Sequence, residues 1–113
     1  MESILLKKQR NIWTQKGFLL EFSMLETLEN LFKLARERKN NPIKGSYTNK
    51  LLSDKSLSKA KVLEEIEELV EALEKDTNKI HEAADVFYHL IMYMEAYDLK
   101  IEDVMAELEK RKK

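Results

Sequence analysis

The chain has 113 residues, a net charge of −1, 36% charged side chains, two glycines, one proline and no cysteine. The length suits one domain, and the balanced charge offers no basic field of the kind that grips nucleic acid. Without cysteine there is neither a disulfide framework nor a thiolate zinc site, which fits a reducing compartment, and no apolar run approaches the ~20 residues of a membrane span.

Residues 1–22 read as an N-terminal extension that is basic (Lys7, Lys8, Arg10, Lys16) and apolar (Ile12, Trp13, Phe18, Leu19, Leu20, Phe22). The short Ile4-Leu5-Leu6 run precedes its charges, so no secretory signal is expected and the default location is the cytoplasm. A frayed extension, a helix packed on a partner subunit and a segment added upstream of the domain all fit this stretch. The all-α domain is expected over 23–113. Ser23-Met24-Leu25-Glu26 has capping-box spacing, and Leu25, Leu28, Leu31, Phe32 and Ala35 continue a helix to about Arg38. Asn40-Asn41-Pro42 stops it, Gly45 marks a loop, and Leu51-Leu52 suggest a short helix. Residues 53–58 read as a loop, with Ser56 or Ser58 as the next cap. A helix follows over Lys59 to Lys75, broken by Asp76-Thr77-Asn78, which also caps a second over Lys79 to Tyr97. A last amphipathic helix carries Ile101, Val104, Met105 and Leu108, with Lys110 to Lys113 near its end. Four main helices in a bundle are the expected fold.

Two of these helices carry acidic clusters, Glu64-Glu65-Ile66-Glu67-Glu68 and Glu82-Ala83-Ala84-Asp85. Residues three and four apart share a helix face, so Glu64, Glu65 and Glu68 converge, and so do Glu82 and Asp85. Thirteen residues lie between Glu68 and Glu82, enough to turn and start an antiparallel partner. On the first helix Val62, Ile66, Leu69, Val70 and Leu73 fall on one side and Glu64, Glu68 and Glu71 on the other, a pattern that a solvated acidic face explains by itself. The second helix is apolar nearly all round: Ile80, Ala83, Ala84, Phe87, Ile91 and Met94 form one stripe, extended by Val86, Leu90, Tyr93 and Tyr97. It is expected to be central and buried, and carboxylates on a buried helix need a partner. The neighbouring chain supplies more glutamates, so the partner favoured here is a cation, and an all-oxygen site suits Mg²⁺, with Mn²⁺ as the alternative. So much apolar surface also points to a homodimer or larger oligomer.

The order Glu-Glu-x-x-Glu then Glu-x-x-Asp resembles the MazG-type all-α nucleotide pyrophosphohydrolases. Ser46-Tyr47-Thr48, Lys61-Val62 before Glu64-Glu65, and Glu82 to His89 narrow the resemblance to phosphoribosyl-ATP pyrophosphohydrolase, over about residues 24–111. Leu25-Glu26-Thr27-Leu28, Glu37-Arg38-Lys39 and Ile101-Glu102-Asp103-Val104 with Glu107-Leu108 carry it further. Leu63 and Ile66 depart from the small residues usual around the glutamate pair and add bulk there. The cyclohydrolase domain to which this family is sometimes fused holds zinc by cysteines, so that activity is not expected here.

The resemblance implies the second step of histidine biosynthesis: Mg²⁺-dependent hydrolysis of phosphoribosyl-ATP to phosphoribosyl-AMP and pyrophosphate. Under it, Glu65, Glu68, Glu82 and Asp85 hold one or two Mg²⁺, and Glu64 is a further ligand or the base for the attacking water. Arg38, Lys39, Lys50 and Lys61 are the candidate donors to the ribose phosphate, with Ser46, Tyr47 and Thr48 beside them. Ordinary solvation is the competing reading for most of these lysines. His89, four residues beyond Asp85, either orients that carboxylate or is a hydrogen-bonded core histidine. His81 is expected at the surface and Tyr88 in the core. Two rival functions remain: a general nucleoside triphosphate pyrophosphohydrolase built on the same carboxylates, and a non-catalytic helical dimerisation module.

Overall fold

A computed structural model describes residues 25–112, and among these there are five helices and no strand. They are α1 (Glu26–Asn40), α2 (Tyr47–Ser53), α3 (Lys55–Lys75), α4 (Lys79–Ala96) and α5 (Ile101–Arg111). The all-α class and the four longer helices are as expected. Residues 1–22 and the serine of the anticipated capping box lie outside the described residues. The compact unit that holds the site begins at Phe32, within α1.

Helix α1 runs to Asn40 and buries Phe32 and Ala35, with Arg38 and Lys39 in its last turn against the negative helix end. Pro42 disfavours helical backbone at Asn41, so the chain leaves there. Gly45, at φ +82°, takes the left-handed turn that an L side chain rarely adopts. Ser46 then caps α2, its hydroxyl accepting from Asn49 N at 3.2 Å. Leu51 and Leu52 face inward from this short helix.

The loop expected over 53–58 is absent. Asp54 closes α2 through its N–H to Lys50 O, and its carboxylate accepts from Leu57 N at 3.0 Å to open α3. One residue ends one helix and starts the next, so α3 begins four residues earlier than expected. Ser56 and Ser58, the two anticipated caps, both lie within α3, and Ser58 is buried there. Aspartate and serine cap equally well, so residue type alone did not choose between them. Asp76 and Asn78 both have left-handed backbone and reverse the chain into α4. Asn78 occupies the cap position, but its side chain makes no capping hydrogen bond.

Helices α3 and α4, joined by three residues, form an antiparallel hairpin, and α2 packs on both. Leu51, Val62, Ala72, Val86, Ile91 and Met92 make its core. The faces turned inward differ from the expected ones. On α3 the buried stripe is Ser58, Val62, Glu65 and Ala72, while Ile66, Val70 and Leu73 stay exposed with Leu63. On α4 the buried stripe is Val86, His89, Ile91, Met92, Glu95 and Ala96, while Ile80 is 88% exposed and Phe87 and Leu90 also reach solvent. Small residues (Ser58, Ala72, Ala96) and the site face let the helices approach. The larger aliphatic side chains are left on the flanks of the single chain. Among the described residues no helix is long and apolar enough to cross a membrane.

Candidate functional site

Glu65 lies near the middle of the buried stripe of α3, where its side chain meets the inward face of α4. Two overlapping groups of carboxylates result. Glu64, Glu65 and Glu68 each present an oxygen within 4.8 Å of the others, and so do Glu65, Glu82 and Asp85. Glu65 belongs to both. The convergence expected from i, i+3 and i, i+4 spacing on paired helices is therefore present for all five residues.

Among the described residues, these carboxylates are not fully neutralised. Glu65 is 7% exposed, and one buried oxygen of Glu65 and one of Glu82 accept no hydrogen bond among the described residues. The negative charge of Glu65, then burial, then Glu82, hold the Glu68 carboxyl above its ordinary range. Two basic groups touch the rim. Lys61 Nζ pairs with Glu64 at 3.2 Å, which keeps the ammonium charged above its usual range. His81, 69% exposed as expected of a surface residue, reaches Asp85 Oδ2 at 3.3 Å. Neither reaches the orphaned oxygens. A buried carboxylate oxygen without a donor is costly, and an all-oxygen donor set with two such atoms fits a hard divalent cation.

His89 does not bond the Asp85 carboxylate. Its Nδ1 lies 2.8 Å from the Asp85 carbonyl oxygen, which only accepts, so Nδ1 carries the proton and donates. Its Nε2 lies 3.0 Å from the Tyr47 hydroxyl. In the neutral ring this nitrogen accepts, so Tyr47 donates. Of the two readings of His89, the structure displays a buried, hydrogen-bonded histidine that ties α2 to α4. The neighbouring Thr48 is buried with its hydroxyl on that of Tyr88, so Thr48 braces the helices instead of facing a ligand. Tyr88 is half-buried.

Tyr47 has a further role in the layout. Its phenol is pushed up by burial and drawn down by the positive charge of Lys61, and it also feels Glu65 and Glu64. The same residue lines a basin of about 700 Å³ between the 42–46 loop and α2. Tyr47 thus touches the basin and, through His89, the turn of α4 that carries Asp85. Ser46 and Lys50 line the basin with it, and Arg38 Nη1 donates to Ser46 Oγ at 3.0 Å. Among the candidate donors, Lys39 stands apart. It pairs with Glu95 at 3.0 Å and Asp98 at 2.8 Å and donates to the Glu95 carbonyl at 2.7 Å. Burial works against its charge, but these hydrogen bonds hold it above its ordinary range. Lys39 therefore anchors α1 to the end of α4 that lies away from the acidic group.

Sequence reasoning missed Asn49 and Glu95. Asn49 Oδ1 accepts from Ile43 N at 2.8 Å, and its Nδ2 donates to Arg38 O at 2.7 Å, which fixes the loop beside the basin. An asparagine one turn beyond a capping serine, after a glycine turn, was the available signal. Glu95 is bound by Arg36 and Lys39 from α1, 59 and 56 residues away, and no local pattern reports such pairs.

The family model of phosphoribosyl-ATP pyrophosphohydrolase matches residues 25–112. The phosphoribosyl-ATP pyrophosphatase of Clostridium acetobutylicum is 44% identical over 91 residues, 76% of this chain and 81% of that protein. The phosphoribosyl-ATP pyrophosphatase of Methanococcoides burtonii is 35% identical over 94 residues, 78% of this chain and 94% of that protein. The histidine biosynthesis bifunctional protein HisIE of Pyrococcus furiosus is 36% identical over 92 residues, 79% of this chain but only 43% of that longer protein. No solved structure gives a significant match. The matched span contains every carboxylate of the site, and this chain belongs to the phosphoribosyl-ATP pyrophosphohydrolase family.

Proposed function

We propose that the chain hydrolyses phosphoribosyl-ATP to phosphoribosyl-AMP and pyrophosphate, the second step of histidine biosynthesis, as a Mg²⁺-dependent cytoplasmic enzyme. The observation that carries this reading is the pair of buried oxygens on Glu65 and Glu82, without a donor among the described residues, inside a five-carboxylate group. Glu65, Glu68, Glu82 and Asp85 would hold the ion, with Mn²⁺ as an alternative. When bound, Mg²⁺ neutralises phosphate charge and lowers the pKa of a coordinated water.

The chain's own groups account for the rest. Glu64 stands at the solvent edge of the group with Lys61 fixing its carboxylate. There it either adds an oxygen ligand or accepts the proton of the water that attacks the α-phosphorus as the bond to the bridging oxygen breaks. Lys61, bound to Glu64, places positive charge at the edge of the carboxylate group, where it would meet the phosphate chain. Arg38, Ser46, Tyr47 and Lys50 form the polar wall beyond it. His89 holds Tyr47 in place.

The exposed aliphatic flanks support a homodimer or larger assembly. Leu63, Val70 and Leu73 on α3 and Ile80 and Phe87 on α4 form apolar surface that a lone small domain does not usually leave wet. A monomeric mass by light scattering at micromolar concentration would contradict this part.

The deciding assay follows pyrophosphate release from phosphoribosyl-ATP beside a panel of ordinary nucleoside triphosphates, each with and without Mg²⁺. Mg²⁺-dependent turnover confined to phosphoribosyl-ATP is expected. Preference for a simple triphosphate would overturn the substrate and keep the carboxylate site. Inactivity on every substrate would overturn the enzyme reading.

A further inference from the structure

The substrate proposed above has an anion at each end: a triphosphate on one ribose and a single phosphate on the other. The carboxylate-held cation serves only the first. The second needs positive charge supplied by the protein, and it is the group that an ordinary nucleoside triphosphate lacks.

The basin beside α2 has the properties of such a subsite. Lys44 and Lys50 line it, and neither has a carboxylate partner among the described residues. This contrasts with Lys39, Lys61, Lys75 and Lys79, each of which is paired. Among the described residues no carboxylate lines the basin, while Pro42 and Ile43 give it an apolar side against which a ribose or purine face can lie. Its volume, about 700 Å³, falls within the range of small-molecule sites. The walls are already braced: Ser46 N donates to Ile43 O at 3.1 Å, and Asn49 joins Ile43 to Arg38. A braced site loses less entropy when it fills. Tyr47 lines the basin and bonds His89, whose other ring nitrogen bonds the Asp85 carbonyl, which links the basin to the turn of α4 that carries a carboxylate of the site.

Resting on the function proposed above, we infer that this basin is the seat of the distal ribose phosphate, gripped by Lys44 and Lys50, and that it separates phosphoribosyl-ATP from ordinary nucleoside triphosphates. Lys44 is a specificity residue that neither spacing nor resemblance had singled out.

The test combines kinetics and binding on the full chain. Lys44→Ala and Lys50→Ala should each raise KM for phosphoribosyl-ATP about tenfold, as expected for a charge-assisted contact, with kcat within about twofold. The double variant should raise KM by about a hundredfold, and Lys44→Arg with Lys50→Arg should recover most of the loss. Circular dichroism checks that each variant is folded. An unchanged KM in the folded double variant, with an active wild type, overturns the subsite while the function stands. A wild type inactive on phosphoribosyl-ATP overturns the function instead. Binding of ribose 5-phosphate, followed by NMR against neutral ribose, then decides the subsite alone. Saturable binding of the phosphate compound that the double variant loses upholds it, and equal or absent binding overturns it.

Discussion

Helix α4 carries carboxylates at both ends, about 15 Å apart along its axis, and the fold treats them differently. Glu95, near the C-terminal end, is 2% exposed, yet it holds Arg36 at 3.1 Å and Lys39 at 3.0 Å. Those cations also reach outward, Arg36 to Glu102 at 2.7 Å and Lys39 to Asp98 at 2.8 Å. Charges there are matched by covalently attached partners. At the N-terminal end, Glu82 and Asp85 meet Glu64, Glu65 and Glu68, and two buried oxygens have no donor among the described residues. The first end is a clamp that joins α1 to α4. The second is an imbalance that the described residues do not correct, and an external cation would correct it.

If that contrast holds, substitutions at the two ends have opposite signatures. The largest effect falls on activity. Glu68→Ala or Asp85→Ala should reduce Mg²⁺-dependent turnover of phosphoribosyl-ATP about a thousandfold or more, because several kcal/mol of charge stabilisation is removed. Helicity should be retained and metal-free stability unchanged or slightly raised, since like charges are relieved. Near-wild-type rates would break the assignment. Next comes the clamp. Glu95→Ala should cost about 2–4 kcal/mol of stability with or without Mg²⁺, because Arg36 and Lys39 lose their shared buried anion. Urea unfolding measures it, and a loss below about 1 kcal/mol would mean that the clamp contributes little.

The smallest effect is acid sensitivity at the outer edge of the clamp. The hydrogen bond from Arg36 holds Glu102 down at about 2, below its ordinary 4.5. A depressed folded pKa stabilises above the ordinary value, and the stabilisation is lost as pH falls from about 4.5 towards 2. Glu102 is exposed, so the change is modest and salt reduces it. Thermal melting between pH 5 and pH 2 should show a shallower decline for Glu102→Gln than for the native chain. Parallel curves would remove this ion pair from the account.

Periodicity made the helices readable, and the i, i+3 and i, i+4 rule made the carboxylate group readable, because both are local. Which aliphatic face turns inward was not local. Glu65 and Ile66 are adjacent, and packing against α4 placed Glu65 in the core and left Ile66 exposed. The cap of α3 is Asp54 and neither Ser56 nor Ser58, because both residue types suit the position and only the closing of α2 decides. His89 bonds the backbone carbonyl of Asp85 because both groups share a helix turn, and its outer nitrogen was claimed by Tyr47 from 42 residues away. Lys39 resembled a phosphate ligand until a long-range partner, Glu95, accounted for it. Pairs of this range have no signature in one sequence.

On the proposed reading, a divalent cation belongs at the uncorrected end of α4 and not at the clamped end. Melting temperature against Mg²⁺ concentration, for the native chain and for Asp85→Asn and Glu95→Ala, tests it most directly. Mg²⁺ at about a hundred times its Kd should stabilise the native chain by about 2.7 kcal/mol, a rise of roughly 10 °C or more for a domain of this size. Glu95→Ala should start lower and show the same rise, and Asp85→Asn should show little or none. A native melting temperature indifferent to both Mg²⁺ and Mn²⁺ would contradict the claim and return the five carboxylates to the status of an acidic helix face.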